Sequence, residues 1–396
     1  MLSNTYKKKT AKRSDIMRNI LIVDDISTNR KVIRLILKKL LQNIEIIEAE
    51  NAFIAMDILL SQEISVVILD IMMPVKSGIE LLSEIKDVGK LKNIPVIMCS
   101  AINEMDSVEK ALSLGALDYF TKPLTDEQFR ITLPLKVKNA LDFYERENQI
   151  EKLYEQFKED MRLAEKLQKL MIFDYIALEE VELIGRYIPC QEIGGDIFCT
   201  KQVQNKHWFM MADVSGHGIP AAMVSAMMST VFNSKTDSSN HPSEVLKNLN
   251  SSLCEVFGGT NYGLVSAFVG CIEGDTLNFA NAGHPYPVFL NMQTKTVEDL
   301  SANGFLLGMF EDENFEDELR TMTKGDAVIL YTDGIFDKGQ ENGFTSWDLV
   351  RQYFNQHQNT FFNDLKVSID DMIDFFRKQG DSDFIDDVAV MTVKKL

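Results

Sequence analysis

The sequence is short of the residues that staple a fold, cross a bilayer or coat a polyanion. It has five cysteines in 396 residues (Cys99, Cys190, Cys199, Cys254, Cys271), odd in number, widely spaced and without a C-x-x-C pair. That usage excludes a disulfide scaffold and a thiolate zinc cluster, and it implies a reduced, cytoplasmic setting. No apolar run approaches the roughly 20 residues needed to span a membrane. Positive charge is also scarce: 41 Lys and Arg stand against 59 Asp and Glu, a formal charge of −18. This argues against a nucleic-acid binder and against docking on an anionic membrane surface. The one basic stretch, KKKTAKR at 7–13, has no apolar segment after it. It is expected to be a disordered tail over 1–17 rather than a secretion signal, and Met17 is a second candidate start.

What is present is a balance of 45% hydrophobic and 25% charged residues, that of globular domains. The length exceeds one ordinary core, so two domains are expected. A grammar recurs in both halves, in which an apolar strand-like run stops on a carboxylate. NILIVDD closes on Asp24 and Asp25, VVILD on Asp70, WFMMAD on Asp213 and VILYTD on Asp333.

From residue 18 to 138, short apolar strands alternate with amphipathic helical stretches such as NRKVIRLILKKLL. That alternation implies a doubly wound parallel sheet, whose working edge is the carboxyl end of its strands. Asp24, Asp25, Asp70 and Ser100 would emerge there, with Lys122 after a fifth strand. Any one of these acids alone reads as a strand-end cap. The set together reads as a site at the working edge of the sheet.

The pieces VDD (23–25), LDIMMPVKSG (69–78), CSA (99–101) and GALDYFTKP (115–123) resemble the receiver domain of response regulators. The resemblance implies a flavodoxin-like α/β fold in which Asp70 accepts a phosphoryl group from a histidine kinase or other phosphodonor. Asp24 and Asp25, with Asp70, would hold Mg²⁺. Ser100 and Lys122 would contact the phosphoryl oxygens, and Tyr119 would change rotamer with Ser100. The bond before Pro123 is expected to be cis.

Residues 139–181 read as a helical connector. Ile150, Leu153, Phe157, Met161, Ala164, Leu167 and Met171 are spaced mostly by three and four with charges on the flanks, which fits a coiled-coil seam and a homodimer, or else a helix packed on the next domain.

From 182 to 396, short strands carry helices in blocks, the pattern of an α+β sandwich. Asp196 in IGGDIF, Asp213 in ADVSGHG, Asp333 in YTDG and Asp386 in FIDDVAV each flank a strand, three of them with a glycine close by that lets backbone approach an ion. Hard oxygen donors without a His/Cys cluster favour Mg²⁺ or Mn²⁺ over Zn²⁺. Carboxylates converging from distant segments suit a two-metal centre.

IGGDIF, MADVSGHGIPAAMVSAMM, NAGHPYP (281–287), LYTDGIFD and DDVAVMTV resemble the PP2C-type protein phosphatases of the SpoIIE/RsbU branch. The resemblance implies a protein serine/threonine phosphatase in which Asp196, Asp213, Asp333 and Asp386 bind two Mn²⁺ or Mg²⁺ ions, with the Val214 carbonyl as a further donor and Asp387 a weaker candidate. The implied substrate is a phosphorylated anti-sigma-factor antagonist. Relatives often carry an acid where Cys199 stands and a Thr-Glu pair where Phe336 and Asp337 stand. Cys199 is expected to pack rather than react, and His284 to hold its Gly–His–Pro turn or, failing that, to touch substrate. His217 is expected in an exposed loop. Met223, Met227 and Met228 are expected to face the core or a partner. The rival class is an adaptor that sequesters a sigma factor without phosphatase activity.

Overall fold

The computed structural model describes residues 17–101, 105–122, 125, 127–258, 263–336, 346–378 and 384–396. The basic tail, the Pro123 bond and Asp337 lie outside them. The chain forms two compact units that divide between Phe157 and Lys158. Among the described residues no helix is long and apolar enough to cross a membrane.

The first unit alternates strand and helix: β1 (Arg18–Val23), α1 (Ser27–Leu40), β2 (Ile44–Ala49), α2 (Ala52–Ser61), β3 (Val66–Asp70), α3 (Gly78–Asp87), β4 (Val96–Ala101), α4 (Met105–Ser113) and β5 (Asp118–Lys122). The strands form one parallel sheet in the order β2-β1-β3-β4-β5. Every residue of β3 is buried, as a central strand covered on both faces must be. Leu21, Val67, Leu69 and Met98 face one layer of the core, and Ile20, Ile22, Ile68 and Ile97 face the other. Asn51 caps α2 by accepting from Phe53 N and Ile54 N, and Ser77 with Glu80 forms a capping box on α3. A π-helical turn, Gln128–Thr132, leads into α5 (Leu133–Lys169). The helix expected from 139 therefore begins six residues earlier.

The second unit holds two antiparallel sheets. One contains β8 (Ile197–Val203), β9 (Lys206–Val214), β10 (Val265–Glu273), β11 (Thr276–Ala282) and β14 (Glu318–Thr321), in the order β14-β11-β10-β9-β8. The other contains β6 (Tyr175–Ala177), β7 (Val181–Ile188), β12 (Val288–Asn291), β13 (Thr296–Asp299), β15 (Ala327–Tyr331) and β16 (Val388–Lys395), in the order β13-β12-β15-β16-β7-β6. Helices α6 (Ile219–Lys235) and α7 (Pro242–Phe257) cover the first sheet, and α8 (Ser346–Asn363) and α9 (Leu365–Lys378) cover the second.

This four-layer stack explains the unbroken apolar runs. Phe209 and Met211 of β9 face the core between the sheets, while Trp208, Met210 and Ala212 face α6 and α7. Val328 and Leu330 of β15 face inward, while Ile329 and Tyr331 face α8 and α9. Strands sandwiched on both faces have no polar side to alternate with.

Candidate metal centres

In the first unit, β1 and β3 end side by side, with Val23 opposite Leu69. The chain step after β1 puts Asp24 next to the last residue of β3, Asp70. Carboxylate oxygens of Asp24, Asp25 and Asp70 lie within 4.8 Å of one another. Asp24 is buried, and its Oδ1 accepts from Ile26 N at 2.8 Å. Lys122, the last residue of β5, places Nζ 2.7 Å from Asp24 Oδ2 and 3.0 Å from Asp70 Oδ2. Burial raises the pKa of Asp70, and Lys122 opposes the rise. Burial opposes the charge on Lys122, but its contacts with Asp24 and Asp70 outweigh this and its pKa is raised. Ser100 is buried one residue beyond Cys99, the strand partner of Asp70. Tyr119 is half-buried with Lys136 Nζ 5.8 Å over its ring. Three hard oxygen donors and one ammonium fit Mg²⁺ and a phosphoryl group. Beside the site, Val75 carries φ +72° and is 94% exposed, a costly conformation for a β-branched residue.

In the second unit the four expected acids come from both sheets. Asp196 immediately precedes β8, Asp213 is the penultimate residue of β9, Asp333 lies two residues past β15, and Asp386 lies two before β16. Asp196 is buried and accepts from Thr332 Oγ1 at 2.6 Å, and Thr332 Oγ1 accepts from Ala389 N at 2.8 Å. That chain links the two sheets at the acid edge. Burial, then Asp213, pushes the Asp196 pKa well up. Burial, then Asp333, raises Asp213 to about 7, with Asp386 and Asp387 adding to the rise and a hydrogen bond with Asp196 opposing it. All four acids, and Asp387, thus share one electrostatic neighbourhood. Burial and mutual repulsion disfavour the charged forms of Asp196 and Asp213 there.

Asp387, the weaker ligand candidate, lies with Cys190 and Asp386 in a group that could hold a metal ion and also binds backbone. Its Oδ1 accepts from Cys190 N at 2.8 Å and its Oδ2 from Gly195 N at 2.6 Å. It fastens the 190–195 loop, so it positions Asp196 from 191 residues away in sequence. The glycines also admit neighbouring protein groups. A methyl on Gly194 would overlap the Asp387 carboxylate, and one on Gly334 would overlap the Asp387 carbonyl. One on Gly195 would come 2.8 Å from the Val214 carbonyl oxygen. The Gly195 carbonyl itself accepts from Ser225 Oγ on α6.

Two residues that pattern reading passed over belong to the site. Cys190 brings Sγ within 4.8 Å of carboxylate oxygens of Asp386 and Asp387, and burial, then Asp387, pushes its thiol up to about 11. Gln168, near the end of α5, donates Nε2–H to Gly194 O at 2.7 Å and accepts from Gly194 N on Oε1 at 3.3 Å. Nothing in the sequence separates either from its polar neighbours.

The secondary candidates are placed as follows. His284 is buried. Its Nδ1 lies 2.9 Å from Ser266 Oγ, Asn281 grips its backbone at both N and O, and burial lowers its pKa to about 3. Its backbone contacts hold the turn, and its ring also lines the cavity beside Asp213 and Asp333. Cys199 is buried against Ser229 and His217 is exposed. Met228 lies in the core, Met227 packs against it and Met223 is exposed.

Residues 20–133 match the family described as response regulator receiver domain, and residues 204–395 match stage II sporulation protein E (SpoIIE). The chain is 25% identical over 278 residues to the phosphoserine phosphatase RsbU of Bacillus subtilis, covering 67% of this chain and 82% of that protein. It is 28% identical over 185 residues to the phosphoserine phosphatase RsbP of the same organism, covering 46% of each. The SiaA-PP2C domain of Pseudomonas aeruginosa superposes with a TM-score of 0.52 at 16% identity, covering 61% of this chain and 98% of that domain, a likeness of fold.

Proposed function

This chain joins a response-regulator receiver domain to a SpoIIE-type PP2C domain, and from that premise we propose that phosphorylation of Asp70 controls a metal-dependent protein serine/threonine phosphatase. The observation that carries the reading is the acid edge of the second unit: buried Asp196 and half-buried Asp213 share a hydrogen bond, with Asp333 and Asp386 close enough to raise Asp213 further. Such a group of carboxylates is stable when cations replace the protons it otherwise keeps.

The donor set is all oxygen apart from Cys190 at one corner, which fits Mn²⁺ or Mg²⁺. Asp196, Asp213, Asp333 and Asp386 would hold two ions, and Val214 would add its carbonyl. Bound there, the ions would neutralise phosphate oxygens and acidify a water for in-line attack. Asp387, Thr332 and Gln168 keep the ligand loops in place. In the receiver, Asp24, Asp25 and Asp70 would hold Mg²⁺. Ser100 and Lys122 would grip the phosphoryl oxygens, and Tyr119 would answer the change at Ser100.

The output of the receiver passes into α5. Ile150 and Leu153 are 60% and 65% exposed, a seam that fits pairing with a second copy of the chain. At the far end of the same helix, Gln168 grips the loop before Asp196. A change in helix pairing would thereby reach a ligand loop. The substrate is a phosphoserine or phosphothreonine protein. The likeness of its motifs to the stress and sporulation phosphatases supports an anti-sigma-factor antagonist, in the cytoplasm.

The test is Mn²⁺-stimulated hydrolysis of p-nitrophenyl phosphate and a phosphoserine peptide. Wild type should turn over both, and Asp213→Asn and Asp333→Asn should lose at least about a hundredfold. Hydrolysis by the Asn variants at the wild-type rate would reject the site. Metal-independent silence of the wild type would favour the adaptor class.

A further inference from the structure

A cavity of about 630 Å³ opens from Asp213 and Asp333 and is walled on its far side by Tyr286, Asn303, Gly304 and Leu306. Phe305, between two of those wall residues, turns outward and is 55% exposed. Phe310, 48% exposed, meets it edge to face with ring centroids 5.4 Å apart, and Met309 beside it is exposed as well. Exposed aromatics usually belong to loose loops or to binding surfaces. This loop is tightly held. Leu307 exchanges both backbone hydrogen bonds with Val265, and Gly308 N donates to Asn250 Oδ1 at 2.8 Å. The buried Asn250 also donates to Phe310 O at 2.8 Å. The aromatic pair is therefore held in place before anything binds, the condition under which such groups contribute most to affinity.

The segment that follows this pair is acidic. Residues 311–318 read EDENFEDE, and no Lys or Arg occurs between Lys295 and Arg320. Glu311, Asp312, Glu316 and Glu318 are exposed. A bare phosphate nearing the cavity across this face meets repulsion. A phosphate whose own chain carries cations does not.

We propose that Phe305, Met309 and Phe310, with the acidic run after them, form the docking surface for the polypeptide flanking the phosphorylated residue. The surface selects flanks that combine a bulky apolar side chain with Lys or Arg. The occupant is the substrate protein itself, because Gly304 and Leu306 on either side of Phe305 line the cavity that its phosphate must enter. This inference rests on the phosphatase reading above and specifies what that site accepts.

Three phosphoserine peptides test it, with apolar–basic, apolar–acidic and Gly/Ser flanks, and p-nitrophenyl phosphate serves as a substrate without flanks. Wild type should favour the apolar–basic peptide by about tenfold in kcat/KM, mainly through KM. Phe305→Ser with Phe310→Ser should raise that KM about tenfold and leave p-nitrophenyl phosphate turnover unchanged. Glu311→Gln with Asp312→Gln and Glu316→Gln should erase the preference for basic over acidic flanks. Equal KM values for the three peptides in wild type overturn the inference and leave the phosphatase standing. So does a proportional loss of peptide and p-nitrophenyl phosphate turnover in the aromatic variant. No hydrolysis of p-nitrophenyl phosphate overturns the phosphatase reading itself, and the docking surface with it.

Discussion

Gln168 and Gly194 are joined twice, the side-chain amide of one matching both backbone groups of the other. Only a carboxamide supplies a donor and an acceptor at that spacing. Gln168→Ala should therefore raise the Mn²⁺ concentration for half-maximal hydrolysis by about tenfold, in line with losses at partners of metal ligands. Gln168→Glu, which keeps the size but loses the donor, should do the same. The readouts are a metal titration of turnover and Mn²⁺ affinity by calorimetry. Unchanged affinity in both variants would remove Gln168 from the account of signalling.

The acid edge predicts an inverted pH dependence in the absence of metal. Asp213 has an ordinary pKa of 3.8 and a folded value of about 7. The native state therefore holds a proton that the unfolded chain has lost. The stability linked to that proton is complete below 3.8 and is lost as pH rises through 7. With metal chelated, the melting temperature of the second unit should fall by about 3–6 °C between pH 5 and pH 8. Mn²⁺ should cancel the fall, and Asp213→Asn should flatten it. A melting temperature that climbs over this range would contradict the shared-proton picture.

Asp387 should matter for folding as much as for activity. Asp387→Ala leaves the buried N–H of Gly195 and the half-buried N–H of Cys190 without their acceptor, at about 2–4 kcal/mol. Asp387→Asn retains one acceptor and should cost about half as much. Chemical denaturation separates the two. Equal stability of Asp387→Ala and wild type would show that the loop finds other partners.

In the receiver, Val75 is a β-branched residue at φ +72° with its side chain in solvent. Val75→Gly should stabilise that unit by about 1 kcal/mol, since left-handed backbone strain exceeds the entropy a glycine adds to the unfolded chain. Its thermal midpoint should rise by a few degrees; a fall would mean that Val75 is held in this conformation by favourable contacts.

The elements best read from sequence are those in which period alone decides. Ile33 and Leu37 mark the buried stripe of α1, and β3 is a bare apolar run because it is covered twice. The acid-ended strands also announced themselves, because a carboxylate after an apolar run is conspicuous. The roles within a pair of neighbouring acids were not visible. Asp386 and Asp387 look alike in a string, and the entry into β16 turns them differently: Asp387 is buried against the 190–195 loop, whereas Asp386 keeps some exposure. Gln168 and Cys190 were illegible for a related reason. Each matters through a partner at least 26 residues away, and no local pattern marks that.

Strand β16 lies between β15 and β7, and among the described residues β7 pairs otherwise only with the short β6. Val181 thus waits for Lys395, and the ladder that encloses the acid edge closes only after some two hundred intervening residues have been laid down. The second sheet of this half is completed only when its last strand has been made. The loop must be closed before its contacts repay the lost entropy, which makes folding slow. A ribosome carrying most of the chain would still display an open sheet edge along β7, a surface that invites pairing with a stranger or the care of a chaperone.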